Sequence, residues 1–146
     1  MSTTILVAAD AQWVRDQVRS AFVGPGQEVV EVARGQDVRD TFARIDPDLV
    51  VLDLQIGNMG GVAVAIDLRL EESGGRLPRA RILLLLDRRD DALIARRADV
   101  DLTLVKPVDA GILRRAAAPL LAAAAAERED ADGDEDDGLD DEPATS

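Results

Sequence analysis

The chain alternates steadily between short apolar runs and amphipathic segments, and this rhythm limits the folds open to it more than any other feature. The apolar runs are TTILVA (Thr3 to Ala8), EVVEV (Glu28 to Val32), LVVL (Leu49 to Leu52), RILLLL (Arg81 to Leu86) and LTLV (Leu102 to Val105). Short runs bounded by polar and turn residues read as strands. Between them, Val14, Val18 and Phe22 recur at four-residue spacing, and QDVRDTFARI follows Gly35 and stops before Pro47, which cannot continue a helix. Val62, Ala65, Ile66 and Arg69 keep helical order, DDALIARRA makes a short helix, and Ile112, Leu113, Ala116 and Ala117 open a last one. Strict strand and helix alternation predicts a parallel sheet covered on both faces, because each right-handed crossover lays its helix on one side. The expected class is α/β. Strands one, three, four and five are apolar throughout and are expected to be central or well covered, whereas Glu28 and Glu31 alternate with valines in strand two as at an edge. Pro119 predicts a kink or a restart in the last helix.

The net charge of −12 is unevenly placed. From Glu127 onward there are 11 acids against the single base Arg128, so the first 126 residues carry only −2. A tail so acidic and so poor in apolar residues is expected to be disordered, acting either as a solubilising end or as an arm for a basic partner. With no cysteine and no histidine in the chain, disulfides, thiolate metal sites, imidazole ligands and His-based triads are all excluded. Any chemistry must use carboxylates, lysine, hydroxyls and backbone. No segment approaches the roughly 20 apolar residues that span a bilayer, and MSTTILVAAD lacks the basic start of a secretory signal, so a soluble cytoplasmic protein is expected, with no membrane partner.

In open α/β sheets, ligands gather at the carboxyl ends of the strands, where strand order reverses. Three charged residues stand at such ends: Asp10 after strand one, Asp53 after strand three and Lys106 after strand five. If strands one and three are neighbours, two carboxylates about 4 Å apart would repel by roughly 4 kcal/mol at an effective dielectric of 20. A cation is needed there. A hard divalent ion such as Mg²⁺, held by carboxylates, a backbone carbonyl and water, meets that need, with Lys106 as second counter-charge. Gly57, Gly60 and Gly61 would let the loop after Asp53 turn tightly and approach a small anion. A nucleotide or flavin binder would want glycines after strand one, and AADAQW has none. A DNA-binding regulator would want a basic stripe or a second module. Output is therefore expected through a protein partner, on the last helix and strand five, without direct nucleic-acid contact.

The stretches ILVAAD, PDLVVLDLQIGNMGG and ADVDLTLVKPVDAGILRR resemble the receiver domain of two-component response regulators, from about Ile5 to Leu121. Within that family, LDLQIGNMGG, LRLEESGGRLP and LLLLDRR resemble atypical single-domain receivers of actinobacteria. The resemblance implies a flavodoxin-like (CheY-like) sheet of order 2-1-3-4-5 over residues 1–121, followed over 122–146 by an alanine-rich helix end and the acidic tail. It implies a non-enzymatic signalling protein in which Asp53 accepts a phosphoryl group from a histidine kinase. Asp10, Asp53 and the backbone carbonyl of Gln55 would hold Mg²⁺, Lys106 would pair with phosphoryl oxygens, and the Lys106-Pro107 bond would be cis. Its further partners would be a downstream protein and, in a homodimer, a second copy of the chain.

The family pattern is broken at three positions. Ala9 stands where a second acid usually precedes Asp10; Leu86 is the expected occupant of the Ser or Thr position after strand four; and Thr103 replaces the aromatic residue three before the lysine. A ligand without differential contacts shifts no equilibrium. Two readings follow: a receiver phosphorylated on Asp53 that signals through altered surfaces, or a phosphorylation-independent pseudo-receiver that serves as a protein-binding module. Trp13 is read as a partly buried packing residue, with a lid over the pocket as the lesser option. Arg88, Arg89, Arg96 and Arg97 read as a solvated helix face, or as a partner surface.

Overall fold

The computed structural model describes residues 2–57 and 59–144. Its elements are β1 (Thr3–Ala8), α1 (Gln12–Ala21), β2 (Gln27–Val32), α2 (Val38–Ile45), β3 (Leu49–Asp53), α3 (Gly61–Ser73), β4 (Ile82–Leu86), α4 (Ala92–Arg97), β5 (Leu102–Val105) and α5 (Ala110–Ala144). Short 3-10 turns at Gly35–Asp37 and Arg89–Asp91 lead into α2 and α4. All strand pairs are parallel and the order is β2-β1-β3-β4-β5. This is the flavodoxin-like arrangement expected from the alternation and the resemblance.

Side chains of alternate residues leave a strand on opposite faces, so each central strand feeds two cores. Leu6, Val50, Leu52, Ile82, Leu84 and Leu86 pack on one face against Phe42 of α2, Leu68 of α3 and Ala95 of α4. Ile5, Val7, Leu49, Val51, Leu83 and Leu85 pack on the other against Val14 and Val18 of α1 and Leu113 and Ala117 of α5. Burial on both faces explains why β1, β3 and β4 read as unbroken apolar runs. β2 is an edge strand, as its glutamates suggested. β5, expected among the covered strands, forms the other edge and is only partly buried. Its apolar composition serves one face, while the other lies beside the short α4.

The C-terminal segment differs most from expectation. One helix runs from Ala110 to Ala144, without a restart at Pro119 and into the acidic segment expected to be disordered; residues 145–146 lie outside the described residues. Pro119 is exposed, so the Arg115 carbonyl that loses its helical partner sits on the solvent side, where water can satisfy it. Once the packed first turns have met the nucleation cost, each further residue adds a hydrogen bond at little expense, and the alanine run favours this strongly. The helix is also tied down at the amino-terminal edge of the sheet. Arg128 Nε donates to Asp48 Oδ1 at 2.6 Å, and Glu127 pairs with Arg81 at 2.5 Å. The hydrogen bond to Asp48 raises the Arg128 pKa above the ordinary arginine value, outweighing the opposing effect of burial. No helix among the described residues is long and apolar enough to cross a membrane.

Candidate functional site

Strand register decides what enters the site. On the face toward α1 and α5, the rows are Leu49 and Val51 in β3, Leu83 and Leu85 in β4, and Leu102 and Leu104 in β5. Continuing each row by two residues past the apolar part gives Asp53, Asp87 and Lys106. Parallel pairing sets Asp53 beside Leu85 and Leu86 beside Val105, so these row ends lie next to one another.

The three side chains meet. Lys106 Nζ lies 2.5 Å from Asp53 Oδ1 and 2.9 Å from Asp87 Oδ1. The loop after β3 adds a second bridge: Gln55 N donates to Asp53 Oδ1 at 3.3 Å and Gln55 Nε2 donates to Asp87 Oδ2 at 3.2 Å. Asp53 is 1% exposed. Burial pushes the Lys106 ammonium toward neutrality, yet its hydrogen bonds and charge contacts with Asp53 and Asp87 outweigh this and hold its pKa above the ordinary lysine value. The hydrogen bond from Lys106, and after it the one from Gln55, hold Asp87 below the ordinary carboxylate range.

Asp10 approaches from the end of β1. Its backbone N–H donates to the Gln55 carbonyl at 3.0 Å, and its carboxylate lies beside Gly57, where an added Cβ would come within 3.5 Å of Oδ1. Arg15 holds this turn by donating to the carbonyls of Ala9, at 2.5 Å, and Asp10, at 3.0 Å. Asp53, Gln55 and Lys106 thus meet at the carboxyl end of the sheet, and Asp10 joins them through its backbone contact with Gln55. Asp53 Oδ2 is buried without a hydrogen-bond partner among the described residues. A buried carboxylate oxygen left bare is costly, and it fits a site that accepts a cation or an electrophile. Asp10 and the Gln55 carbonyl stand at the same end of the sheet, so the donors on offer are all oxygen, as a hard divalent ion such as Mg²⁺ prefers, and among the described residues no three acids group closely enough to hold a metal by themselves.

Two expectations change. Leu86 does not occupy the position facing the pocket: it is 1% exposed in the core beneath α2, α3 and α4, because its place in the strand points it to the other face. Asp87 takes that position instead. Asp87 was missed as a site residue although it follows an apolar strand just as Asp53 and Lys106 do, and counting alternate residues from Leu83 would have found it. Trp13 is 54% exposed rather than packed, and the Lys106 ammonium lies 6.0 Å from its ring centroid. It borders the site because α1 begins immediately after the Asp10 turn. Two of the glycines are also required by backbone packing. A Cβ on Gly61 would collide with the Asp53 carbonyl and one on Gly57 would lie 3.1 Å from the Ala33 carbonyl. Ala9 is fully buried, with its N–H on the Val32 carbonyl at 3.1 Å. Thr103 lines a groove with Ala92, Ala95 and Arg96, between α4 and β5. The Lys106-Pro107 bond is cis, as expected.

Residues 5–118 match the family model of the response regulator receiver domain. The chain belongs to that family. Solved receivers confirm the fold. The chemotaxis response regulator CheY4 of Vibrio cholerae superposes with a TM-score of 0.71 at 18% identity, over 82% of this chain and 99% of its own. The receiver domain of a signal transduction histidine kinase from Syntrophus aciditrophicus gives 0.72 at 19%, over 84% and 92%. The BeF3-activated N-terminal receiver domain of RstA from Klebsiella pneumoniae gives 0.70 at 23%, over 82% and 98%. No curated protein matches the sequence. Receivers as a family bind Mg²⁺ at a phosphorylation site and work with histidine kinases and downstream effectors. In this chain Asp53, Lys106, Asp87 and the Gln55 loop meet at the carboxyl end of the sheet.

Proposed function

We propose that this receiver takes part in phosphorelay signalling by accepting a phosphoryl group on Asp53 from the phosphohistidine of a partner kinase. The observation that carries the reading is the buried Asp53 carboxylate, one oxygen held by Lys106 and the other without a partner among the described residues. A carboxylate oxygen of Asp53 attacks phosphorus, the phosphorus–nitrogen bond of the donor breaks, and its electron pair leaves with the imidazole, which the kinase supplies. Lys106 screens charge on the incoming group, and the Gln55 N–H orients the nucleophile. Asp10, Asp53 and the Gln55 carbonyl would hold Mg²⁺, which supplies neutralisation of the transferred group's charge. The protein is then a phosphoacceptor in the cytoplasm rather than an enzyme with its own turnover. Output through a protein partner is supported by exposed apolar side chains around α4, β5 and α5: Leu93, Ile94, Val105 and Ile112.

A second reading, a phosphorylation-independent binding module, is favoured by one feature: Asp87 already occupies Lys106. Intact mass after incubation with acetyl phosphate and Mg²⁺ separates the two. Here the oxygen–phosphorus bond to acetate breaks and an acyl phosphate forms on Asp53. The expected result is an adduct on wild type that is absent from Asp53→Ala. If wild type gains no adduct at millimolar Mg²⁺, the binding-module reading replaces the first.

A further inference from the structure

Asp87 contacts two other parts of the site, one through each oxygen. One oxygen holds the Lys106 ammonium at 2.9 Å and the other holds the Gln55 side chain at 3.2 Å. Its side chain keeps 35% of its exposure, so a path to solvent is open, while Asp53 is sealed. Asp87 also begins the segment that feeds α4, where Arg88 N donates to Asp91 Oδ2 at 2.9 Å and starts the 3-10 turn of Arg89–Asp91. A phosphoryl group on Asp53 brings negative oxygens to the same lysine, and a carboxylate sharing that lysine opposes their arrival.

We propose that Asp87 is an internal competitor for Lys106, and that phosphorylation of Asp53 expels Asp87 and the β4–α4 segment outward. This rests on Asp53 being the phosphoacceptor. In one state Lys106 bridges Asp53 and Asp87 and Gln55 is anchored. In the other Lys106 serves the phosphoryl oxygens and Asp87 is solvated, releasing Gln55 and the turn into α4. These are the differential contacts that a ligand needs if it is to shift an equilibrium. The switch works by repulsion of a carboxylate, so the buried Leu86, which has no hydroxyl to be drawn toward the phosphoryl group, is no obstacle. Asp87 is a positioning residue that acts through Lys106, and the cost of displacing it makes the resting protein a reluctant acceptor.

The test uses the full chain as wild type, Asp87→Asn, Asp87→Glu and Asp53→Asn. Binding of Mg²⁺ with beryllofluoride is followed by Trp13 fluorescence, acetyl phosphate labelling by intact mass, and amide exchange over residues 87–97. Asp87→Asn is expected to bind beryllofluoride at least about tenfold more tightly and to label faster, Asp87→Glu to stay near wild type, and Asp53→Asn to do neither. In wild type, beryllofluoride should accelerate exchange over residues 87–97, and in Asp87→Asn that segment should already exchange quickly and respond little. A general structural lesion would not tighten binding. Equal binding by wild type and Asp87→Asn, or no exchange change in wild type with beryllofluoride bound, overturns the switch and leaves Asp53 as acceptor. Failure of both wild type and Asp87→Asn to bind beryllofluoride or gain an adduct overturns the acceptor reading and the switch with it.

Discussion

Lys106 donates to Asp53 across 53 residues of sequence, at 2.5 Å, and so joins the ends of β3 and β5 over the intervening β4. The contact makes a buried acid tolerable, and the stability of the fold should reflect it. Lys106→Met leaves the sealed Asp53 without a cation and Asp87 as a like-charged neighbour, a loss of about 3–5 kcal/mol. Asp53→Asn leaves Lys106 with Asp87 and removes the bare oxygen's charge, so its cost should stay within about 1 kcal/mol. Urea unfolding of the two variants measures the difference, and comparable losses would show that the pair does not hold the strand ends.

Acid should weaken the fold in part through Asp87. Its pKa is depressed by Lys106 first and Gln55 second. A group depressed on folding contributes stability above its unfolded value, about 3.9, and gives it up as pH falls through its folded value. Lys106 is raised despite its burial, so its contribution is complete below about 10.4 and disappears as pH rises through its folded value. The stability deficit of Asp87→Asn should therefore be constant across neutral pH and shrink below about pH 4. A deficit of the same size at pH 2.5 and pH 7 would contradict the linkage.

Trp13 is the single tryptophan and borders the Lys106 ammonium at 6.0 Å. Its emission should change when Mg²⁺ enters among Asp10, Asp53 and the Gln55 carbonyl, and again with beryllofluoride. Asp10→Asn should move the Mg²⁺ midpoint to higher concentration by about tenfold, the loss of one charged ligand contact. A titration that is flat in wild type counts against the metal site.

At the opposite edge of the sheet, Asp48 is nearly buried and accepts from Thr4 N at 2.8 Å as well as from Arg128. Arg128→Ala removes a charge-assisted bond and should cost about 1.5–3 kcal/mol. It should also speed exchange in α5 beyond residue 124 while leaving beryllofluoride binding unchanged. Unaltered exchange there would mean that Arg128 does not anchor the helix extension.

Much of this was open to reading from the residues in order. Periodicities of two and of about 3.6 are local properties, so the apolar runs and amphipathic segments announced the five strands, their helices and the α/β class. The strand ends likewise marked Asp10, Asp53 and Lys106, because a charged residue closing a buried strand has few structural uses. Composition also removed histidine and cysteine chemistry without reference to shape.

Tertiary structure alone decided which residue after β4 faces the pocket, because a one-residue step along a strand exchanges one face for the other. It sent Leu86 into the core and Asp87 to Lys106. Only packing of α1 against the sheet brought Trp13 to the site's rim, and ion pairs to residues distant in sequence, Asp48 and Arg81 among them, hold the acidic helix extension to the domain. Such contacts depend on where strands lie relative to one another, which no local pattern of hydrophobicity encodes.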